Sequence, residues 1–296
     1  MDHRALIAAI PAQTKEQLQQ RTDRAGLRHL TLYVALLGAS TAGIAVQVPL
    51  WPMLLIPQGL LLVFLFTLSH ECTHKTPFKS GWINEAAGHL VSVPIILPFT
   101  WFRYFHLAHH KWTNHPGNDP ELAGKPRPED WTSLLLYLSG WPYWLGMVKT
   151  LLRNARGRID APYLPARQHG AIRTEARILL GLYALAIFSL FFTPILFWLW
   201  ILPVLICQPA LRLYLLAEHG LCPPVANMLE NSRTTFTNRM IRFLAWNMPY
   251  HAEHHAFPNV PFHQLPALHN WTQTHLKSTS NGYTEFTKDY ARSLNS

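Results

Sequence analysis

The 296-residue chain has few charged residues and places none of them in two long stretches. Asp, Glu, Lys and Arg make up 14% of the sequence, against roughly 25% in an average soluble domain. No charged residue occurs between His29 and Ser69 or between Ile178 and Leu211. A buried helical pair in a soluble core would not normally lack every charge across both helices and their connection. These stretches therefore predict membrane-spanning segments.

Cysteine is also scarce. The three cysteines, Cys72, Cys207 and Cys222, form no CxxC pair, which argues against a disulfide framework and against an iron–sulfur cluster. The first 28 residues contain no apolar core ahead of a small-residue cleavage site. We therefore expect no signal peptide in residues 1–28 and interpret them as a polar, partly helical cytosolic arm.

Each uncharged stretch has the composition of a hairpin of two apolar helices, with proline at its turn. Runs of about 15–19 residues, at 1.5 Å per residue, approach the hydrocarbon thickness of roughly 30 Å. We therefore predict an all-α integral membrane protein with four transmembrane helices in two hairpins, residues 30–69 and 178–217. The four apolar runs are residues 30–48, 53–69, 178–192 and 195–211.

The regions outside the hairpins divide by composition within a single predicted domain. Residues 88–105 are apolar but interrupted by two prolines and an arginine, which indicates an interfacial or re-entrant segment. Residues 131–152 are rich in Trp and Tyr and predict one amphipathic interfacial helix. Residues 70–177 and 218–275 as a whole are predicted to form a cytosolic helical cap, and residues 276–296 a polar tail.

The distribution of positive charge predicts how the chain lies in the membrane. The formal net charge is +9, and all 25 basic residues fall in residues 1–28, 70–177 and 212–296. Two uncharged hairpins between three basic blocks put every block, and both termini, on one side, which the positive-inside rule makes cytoplasmic. We expect a bacterial inner membrane. No basic stripe interleaved with surface aromatics indicates nucleic-acid binding.

Histidine is the chemically informative residue of this chain. Rings three or four residues apart lie on one face of a helix, within reach of a common centre. The pattern H-x-x-H-H occurs twice and H-x-x-x-H once, and we call these three motifs the histidine boxes. Another histidine lies beyond the last apolar run, at the end of the helix that is expected to continue from it. The nine histidines are His70, His74, His106, His109, His110, His219, His251, His254 and His255.

Nine imidazoles on one side of the membrane predict a metal centre. Nine ligands exceed what one four-coordinate ion uses, so two ions are implied. The boxes contain no thiolate, which argues against a structural zinc site. Iron with nitrogen ligands and open positions suits oxygen activation. We interpret His115, held before proline in a turn, as a hydrogen-bonding or solvent-facing residue, and His263, His269 and His275, which share no helix face, as ordinary surface or core residues.

The histidine boxes, set around two apolar hairpins, resemble the membrane fatty-acid desaturase and hydroxylase superfamily, which also includes alkane hydroxylases and carotenoid ketolases. The resemblance covers roughly residues 30–270. It implies a non-haem di-iron centre on the cytosolic face, and His219 matches an extra histidine that follows the fourth span in that superfamily. Glu71 and Asn247, close to box residues, are candidates for orienting the imidazoles.

Some features of this chain differ from those of particular branches of the superfamily and argue against those branches. Box two has two residues between its first and second histidines, whereas alkane hydroxylases tend to have three. Box three begins with His251 rather than the glutamine of front-end desaturases. No fused cytochrome b5 domain fits in 28 residues, so the resemblance implies a separate electron donor such as a ferredoxin, a rubredoxin or a cytochrome b5.

The predicted activity is O2-dependent desaturation of a fatty-acyl or similar lipophilic substrate, carried by a lipid, by coenzyme A or by acyl carrier protein. Membrane lipid is a further expected partner. Hydroxylation or ketolation of a lipid, alkane or carotenoid by the same centre remains open, because both reactions begin with hydrogen abstraction. A histidine-rich metal transporter is disfavoured. It would need polar ligands inside the spans, and the hairpins contain only isolated Gln47, Gln58 and Gln208.

Overall fold

The computed structural model describes residues 1–123 and 127–295 and consists mostly of helices. The elements in chain order are α1 His3–Ala9, α2 Ala12–Leu18, α3 Asp23–Ala45, α4 Leu55–Val63, α5 Leu65–His74, α6 Gly81–Ser92, α7 Phe99–Trp112, α8 Trp131–Leu138, α9 Trp141–Ala155, α10 His169–Ser189, α11 Leu202–His219, α12 Met228–Asn231, β1 Thr234–Thr235, α13 Arg239–Leu244, α14 His251–Ala256, α15 Leu265–Thr272, β2 Thr279–Ser280 and α16 Tyr283–Ser293. Short 3₁₀ segments at Trp51–Leu54, Ala166–Gln168 and Phe262–Gln264 and a π-helical turn at Phe197–Ile201 join them. The predicted helical class is confirmed, since strands β1 and β2 form only a short parallel pair in the described chain.

Two helical stretches of the described residues are long and apolar enough to cross a membrane, Trp51–His74 and Phe197–His219. They contain the second arms of the two predicted hairpins. Helices α4 and α11 within them pack closely, because a Cβ at Gly59 would overlap the carbonyl oxygen of Pro203 and the sulfur of Cys207. The absence of a side chain at Gly59 therefore lets the two backbones approach each other.

The first arms of the predicted hairpins are helical but begin earlier than the sequence predicted. Helix α3 begins at Asp23 rather than residue 30, because the Thr22 hydroxyl caps it by accepting a hydrogen bond from the Arg24 N–H at 3.2 Å. Helix α10 begins at His169 rather than residue 178. Both helices are long enough to cross a membrane, with 23 and 21 residues, but in the described chain they do not combine this length with the hydropathy and low charge of the two long stretches.

The segment of residues 88–105 is interrupted at its prolines, as predicted. Helix α6 ends before Pro94, and helix α7 begins directly after Pro98. The first turn of α7 is capped by a carboxylate from helix α10, since the Thr100 N–H donates to the Glu175 oxygens at 3.0 and 3.1 Å. This contact fixes the start of the helix that carries the second histidine box.

The prediction of one helix over residues 131–152 is wrong, because the segment forms two helices, α8 and α9. Gly140 lies between them with a φ of 72°, a left-handed conformation that glycine adopts without steric cost. A Cβ at Gly140 would also overlap the Gln208 side chain of helix α11. The composition of the segment indicated one continuous amphipathic helix, but the backbone conformation of one glycine divides it.

Residues 276–296 were predicted to be a polar tail, but the described part of this segment, residues 276–295, is folded against the rest of the domain. Strand β2 pairs with β1, and helix α16 buries Phe286 and Tyr290 against Leu216 and Ala217 of helix α11. Phe286 and Tyr290 are four residues apart and therefore lie on one face of α16. The C-terminal segment thus packs against the end of the helix that carries His219.

Candidate metal centre

Helix α5 continues past the apolar run and ends at His74, where Lys75 adopts a left-handed conformation with a φ of 58°. The first box therefore lies in regular helix. His70 and His74 are one turn apart, with ring centroids separated by 5.6 Å. This placement is the one that the sequence predicted for the first box.

The second and third boxes lie on helices α7 and α14, but each divides its rings between two places. Residues three and four positions after a first histidine differ by one position, or about 100° around the helix. His110 therefore lies with His74, whereas His109 lies with His219. The prediction that one box faces one common centre is wrong for this geometric reason.

The imidazoles form two adjacent groups. The first contains five histidines and the second three, and within each group the candidate ligand nitrogens lie within 4.8 Å of one another. His251 adjoins the second group, since its Nε2 is 3.0 Å from the Nε2 of His219. All nine predicted histidines are thus brought together. The first group is His70, His74, His106, His110 and His254; the second is His109, His219 and His255.

The nitrogen–nitrogen distances match ligands of a shared ion. The Nε2 atoms of His74 and His106 are 2.9 Å apart, and those of His109 and His219 are 3.1 Å apart. Two nitrogens that bind the same ion, each at about 2.0–2.1 Å, lie roughly 3 Å from each other. The two groups therefore have the spacing that metal ligands require.

Several ring nitrogens are buried without any partner. Both nitrogens of His70, His110 and His254 have no hydrogen-bond partner in the described chain. A buried polar atom without a partner costs about 1–3 kcal/mol, and a bound cation would remove that cost. The free cysteines lie outside both groups, so the donor set is entirely imidazole nitrogen. The residues thus fit a metal that accepts nitrogen ligands, as iron does.

Burial keeps most of these rings neutral. Desolvation, followed by repulsion from neighbouring imidazoles, lowers the pKa of His106, His110, His254 and His255 well below the usual 6.5. Their lone pairs are therefore available at neutral pH. His109 differs, because the nearby carboxylates of Glu121 and Asp119 outweigh burial and raise its pKa.

Acceptors on the far side of two rings fix which nitrogen faces its group. His109 donates from Nδ1 to Asp119 at 3.0 Å. His219 donates from Nδ1 to the carbonyl oxygen of Asn231 at 3.2 Å. With Nδ1 protonated, the lone pair of Nε2 is directed at the neighbouring rings, which is the form that binds metal.

The two predicted orienting residues lie in different surroundings. Glu71 is fully buried, and its Oε1 lies 3.6 Å from Nδ1 of His254 rather than beside His70. The side-chain amide of Asn247 donates to the carbonyl oxygen of Phe262 at 3.0 Å. The Phe262 N–H in turn donates to Glu71 at 3.1 Å. Asn247 is therefore linked to the imidazoles only through Phe262 and Glu71.

Sequence reasoning missed several neighbours of the boxes. Glu218 Oε1 is 3.3 Å from Nδ1 of His251, and the Thr113 hydroxyl is 3.1 Å from Nδ1 of His255. Glu253 accepts hydrogen bonds from Thr234 at 2.5 Å and Thr272 at 3.3 Å, and so anchors helix α14. The sequence did contain a signal for both glutamates, because each is adjacent to a predicted ligand. Glu218 directly precedes His219, and Glu253 directly precedes His254.

Arg233 holds the end of the helix that carries His219. Its guanidinium donates to the carbonyl oxygens of Ala217 at 3.0 Å and Gly220 at 2.6 Å. It also donates to the carbonyl oxygen of Thr279 at 3.2 Å. A cation at a helix C-terminus is stabilising, and here it also ties α11 to strand β2. No periodic pattern in the sequence marks this residue.

The remaining histidines lie outside both groups. His115 is exposed, and its ring contacts its own loop at Asn118. His263 and His275 are partly buried, and His269 forms an ion pair with Glu253 at 2.5 Å. Helix geometry had indicated that these three downstream residues do not share a face, and none of them belongs to either imidazole group.

Comparison with known proteins agrees with this geometry. The fatty acid desaturase family model matches residues 19–287. The chain belongs to the fatty acid desaturase family. It is thus an oxidoreductase and a membrane protein by family, and its two long apolar helices agree with this.

Individual relatives are named as lipid desaturases. The chain is 26% identical over 256 residues to an sn-1 oleoyl-lipid 12-desaturase of Arthrospira platensis, covering 78% of this chain and 71% of the relative. An sn-1 oleoyl-lipid 12-desaturase of Anabaena variabilis is 30% identical over 45% of this chain and 40% of its own length. An sn-1 acyl-lipid omega-3 desaturase (ferredoxin) of Nostoc sp. (strain 36) is 36% identical over 23% of this chain and 19% of its own length.

Proposed function

We propose that this fatty acid desaturase holds two iron ions in its nine imidazoles and uses O2 and two external electrons to remove two hydrogens from an acyl chain. The observation that carries the proposal is the pair of adjacent imidazole groups, in which several buried ring nitrogens lack a hydrogen-bond partner in the described chain. Five histidines form one group, and His251 adds a fourth ring to the other. Each ion would thus be held by four or five nitrogens.

The chemistry divides between the ions and the chain. When bound, iron supplies activation of O2 to an oxidant that attacks an unactivated C–H bond. The protein holds the neutral rings in place and, through Asp119 and Glu71, orients two of them. Burial of the box residues excludes bulk water from the reacting atoms.

The substrate is proposed to be the acyl chain of a membrane lipid. The relatives are named as desaturases of oleoyl lipids and acyl lipids, which supports a lipid-bound acyl chain as the substrate. Large exposed apolar side chains on helix α3, such as Val34, and near helix α10, such as Phe188 and Phe191, support lipid contact there. We therefore retain four transmembrane helices in two hairpins, with α3 and α10 as the first arms.

We further propose that the metal centre and both termini face the cytoplasm of a bacterial inner membrane. The basic blocks that flank the uncharged runs support this orientation through the positive-inside rule. Reaction of an impermeant lysine reagent with Lys75, next to the first box, tests it. Labelling in inside-out vesicles but not in intact cells is expected, and labelling in intact cells would reverse the orientation.

The electrons are proposed to come from a separate ferredoxin. The Nostoc relative is named as a ferredoxin-dependent desaturase, which supports this donor over a rubredoxin or a cytochrome b5. Turnover reconstituted with each reduced carrier in turn would rank the three donors. Turnover with cytochrome b5 alone would contradict the proposal.

Product analysis separates desaturation from the rival reactions. The purified protein, loaded with iron and supplied with O2 and reduced ferredoxin, is expected to convert oleoyl phosphatidylcholine to a product that lacks two hydrogens. A product that contains an additional oxygen would establish a hydroxylase or ketolase instead. About two irons per chain is expected, whereas labile zinc without any oxidised product would indicate metal transport.

A further inference from the structure

Helix α11 carries two buried polar side chains that the imidazole groups do not use. Gln208 is 2% exposed and Arg212 is 7% exposed. They are four residues apart, and Arg212 is seven residues before His219, so all three lie on one face of the helix. Both residues lie inside a stretch that is long and apolar enough to cross a membrane. A buried ionisable residue in such a stretch is costly and indicates a function.

The donors of this pair have no partner. The Nε and Nη2 atoms of Arg212 and the Nε2 atom of Gln208 are buried without a hydrogen bond in the described chain. None of the ion pairs formed by a Lys or Arg of the described residues includes Arg212, and Glu218 and Glu121 interact with it through charge without a hydrogen bond. Buried donors without an acceptor are destabilising, and more so when they are charged. Two neighbouring residues thus present buried donors that no acceptor of the described chain satisfies.

The surrounding contacts hold the donors in place without satisfying them. The guanidinium of Arg212 lies over the Tyr143 ring, 4.3 Å from its centroid, and the Tyr143 hydroxyl donates to the Ile95 carbonyl oxygen at 2.7 Å. Gly140 lies so close to Gln208 that a Cβ would overlap its side chain. The guanidinium is thus restrained by an aromatic face, which leaves its N–H groups free to bind a ligand.

We propose that Arg212 and Gln208 form a subsite for the carbonyl end of the acyl substrate. A guanidinium and an amide NH₂ donate hydrogen bonds, and they match the oxygens of a carboxylate or an ester. This assignment rests on the proposed function, since it assumes that the substrate is an acyl compound. A free fatty acid and a glycerolipid ester offer the same oxygens, and the test below separates these two sources.

The position of the subsite fits an acyl chain that reaches the metal centre. Seven residues of helix separate Arg212 from His219 by about 10 Å along the axis. A chain anchored by its carbonyl end at Arg212 thus presents a carbon distant from the carbonyl group to the imidazoles. Helix α9 beside the subsite carries Trp141 and Trp144, residues typical of the headgroup level where lipid esters lie.

Ligand-dependent thermal unfolding of the full-length, iron-loaded protein in detergent tests the subsite. The probes are oleic acid, methyl oleate and 9-octadecene, which share a chain but differ in their oxygens. Arg212→Gln is expected to weaken the apparent affinity for oleic acid or methyl oleate by about tenfold or more, the loss of about 1.4 kcal/mol or more. Its affinity for 9-octadecene should not change. Arg153→Gln, an exposed arginine paired with Asp160, is the matched control and should bind all three probes like the wild type.

The pattern of losses identifies the source of the oxygens. A loss confined to oleic acid indicates a free carboxylate, and an equal loss for methyl oleate indicates an ester carbonyl; both support the subsite. Arg212→Gln that retains its iron and unfolding temperature but binds both oxygenated probes like the wild type would overturn it. If Arg212→Gln does not fold, Gln208→Leu and Arg212→Lys decide, because each removes part of the donor set. Wild-type affinity for the oxygenated probes in both would also overturn it.

The same experiment keeps this inference separate from the proposed function. An enzyme that desaturates oleoyl lipid but binds neither oleic acid nor methyl oleate better than 9-octadecene refutes the subsite alone. A protein that binds methyl oleate through Arg212 but forms no unsaturated product retains the subsite and refutes the proposed desaturation.

Discussion

The carboxylate of Asp119 lies 3.0 and 3.1 Å from Nδ1 of His109, and the two side chains are 1% and 2% exposed. A carboxylate that accepts from one ring nitrogen fixes the tautomer and increases the basicity of the other. His109 belongs to the smaller imidazole group, so Asp119 acts on that group from outside it. A loop residue thus controls a ligand that the helix alone would leave free to rotate.

Replacing Asp119 with asparagine should weaken metal binding at the second imidazole group. Asparagine keeps the shape but removes the charge, so we expect roughly a 10–100-fold loss of iron affinity or turnover. Iron per chain and product formation, measured on the same sample, check this. Asp160→Asn, at the exposed pair with Arg153, should leave both values unchanged. Wild-type iron affinity in Asp119→Asn would contradict an orienting role.

Replacing Glu71 with glutamine should weaken metal binding at the first imidazole group, as replacing Asp119 does at the second. One of its oxygens accepts from Phe262 N–H and the Thr76 hydroxyl, both at 3.1 Å, and the other faces Nδ1 of His254. Glu71→Gln replaces an acceptor with a donor, so we expect roughly a 10–100-fold loss of iron affinity. Iron titration of the metal-depleted protein measures it, with Glu16→Gln on the exposed arm as the control. Equal affinities in the two variants would show that Glu71 only supports the fold.

The sequence predicted the histidine ligands better than the residues around them. The ligands follow a local helical spacing, whereas their neighbours come from other parts of the chain. Box histidines are spaced by local helix periodicity, which a single chain displays directly. Asp119 and Asn231 reach their rings from outside the histidine-bearing helices, and no spacing rule connects Asn231 to His219, twelve residues earlier. The division of the second and third boxes between two groups was missed because two ions were inferred from the number of ligands, not from their directions.

Helix boundaries were missed for local chemical reasons. The apolar run indicated where helix α3 meets lipid, but the Thr22 cap and not hydrophobicity decides where the helix begins. Similarly, the aromatic-rich composition of residues 131–152 concealed the break at Gly140. Composition predicts the environment of a segment, whereas caps and left-handed glycines determine its ends.

The close approach of helices α4 and α11 should make Gly59 sensitive to a single methyl group. In Gly59→Ala the new Cβ would overlap the Pro203 carbonyl oxygen, so we expect destabilisation of about 1–3 kcal/mol. In Gly38→Ala the Cβ meets open space, and the better helix propensity of alanine favours the variant by up to about 1 kcal/mol. Thermal unfolding of both variants in the same detergent provides the comparison. Equal midpoints would show that the helices separate readily at this point.

Removing one ring from the first imidazole group should abolish the activity without unfolding the chain. His254 is fully buried, and its ring centroid lies 4.7 Å from those of both His70 and His74. We expect His254→Ala to lose iron from this group and to form no measurable product, because the remaining rings no longer enclose the ion. His115→Ala, in an exposed loop, is the matched control and should retain iron and product. Since the truncation also leaves a cavity, near-wild-type circular dichroism is required before the loss is assigned to metal binding. Product formation by a folded His254→Ala protein would mean that the histidine boxes do not carry the chemistry.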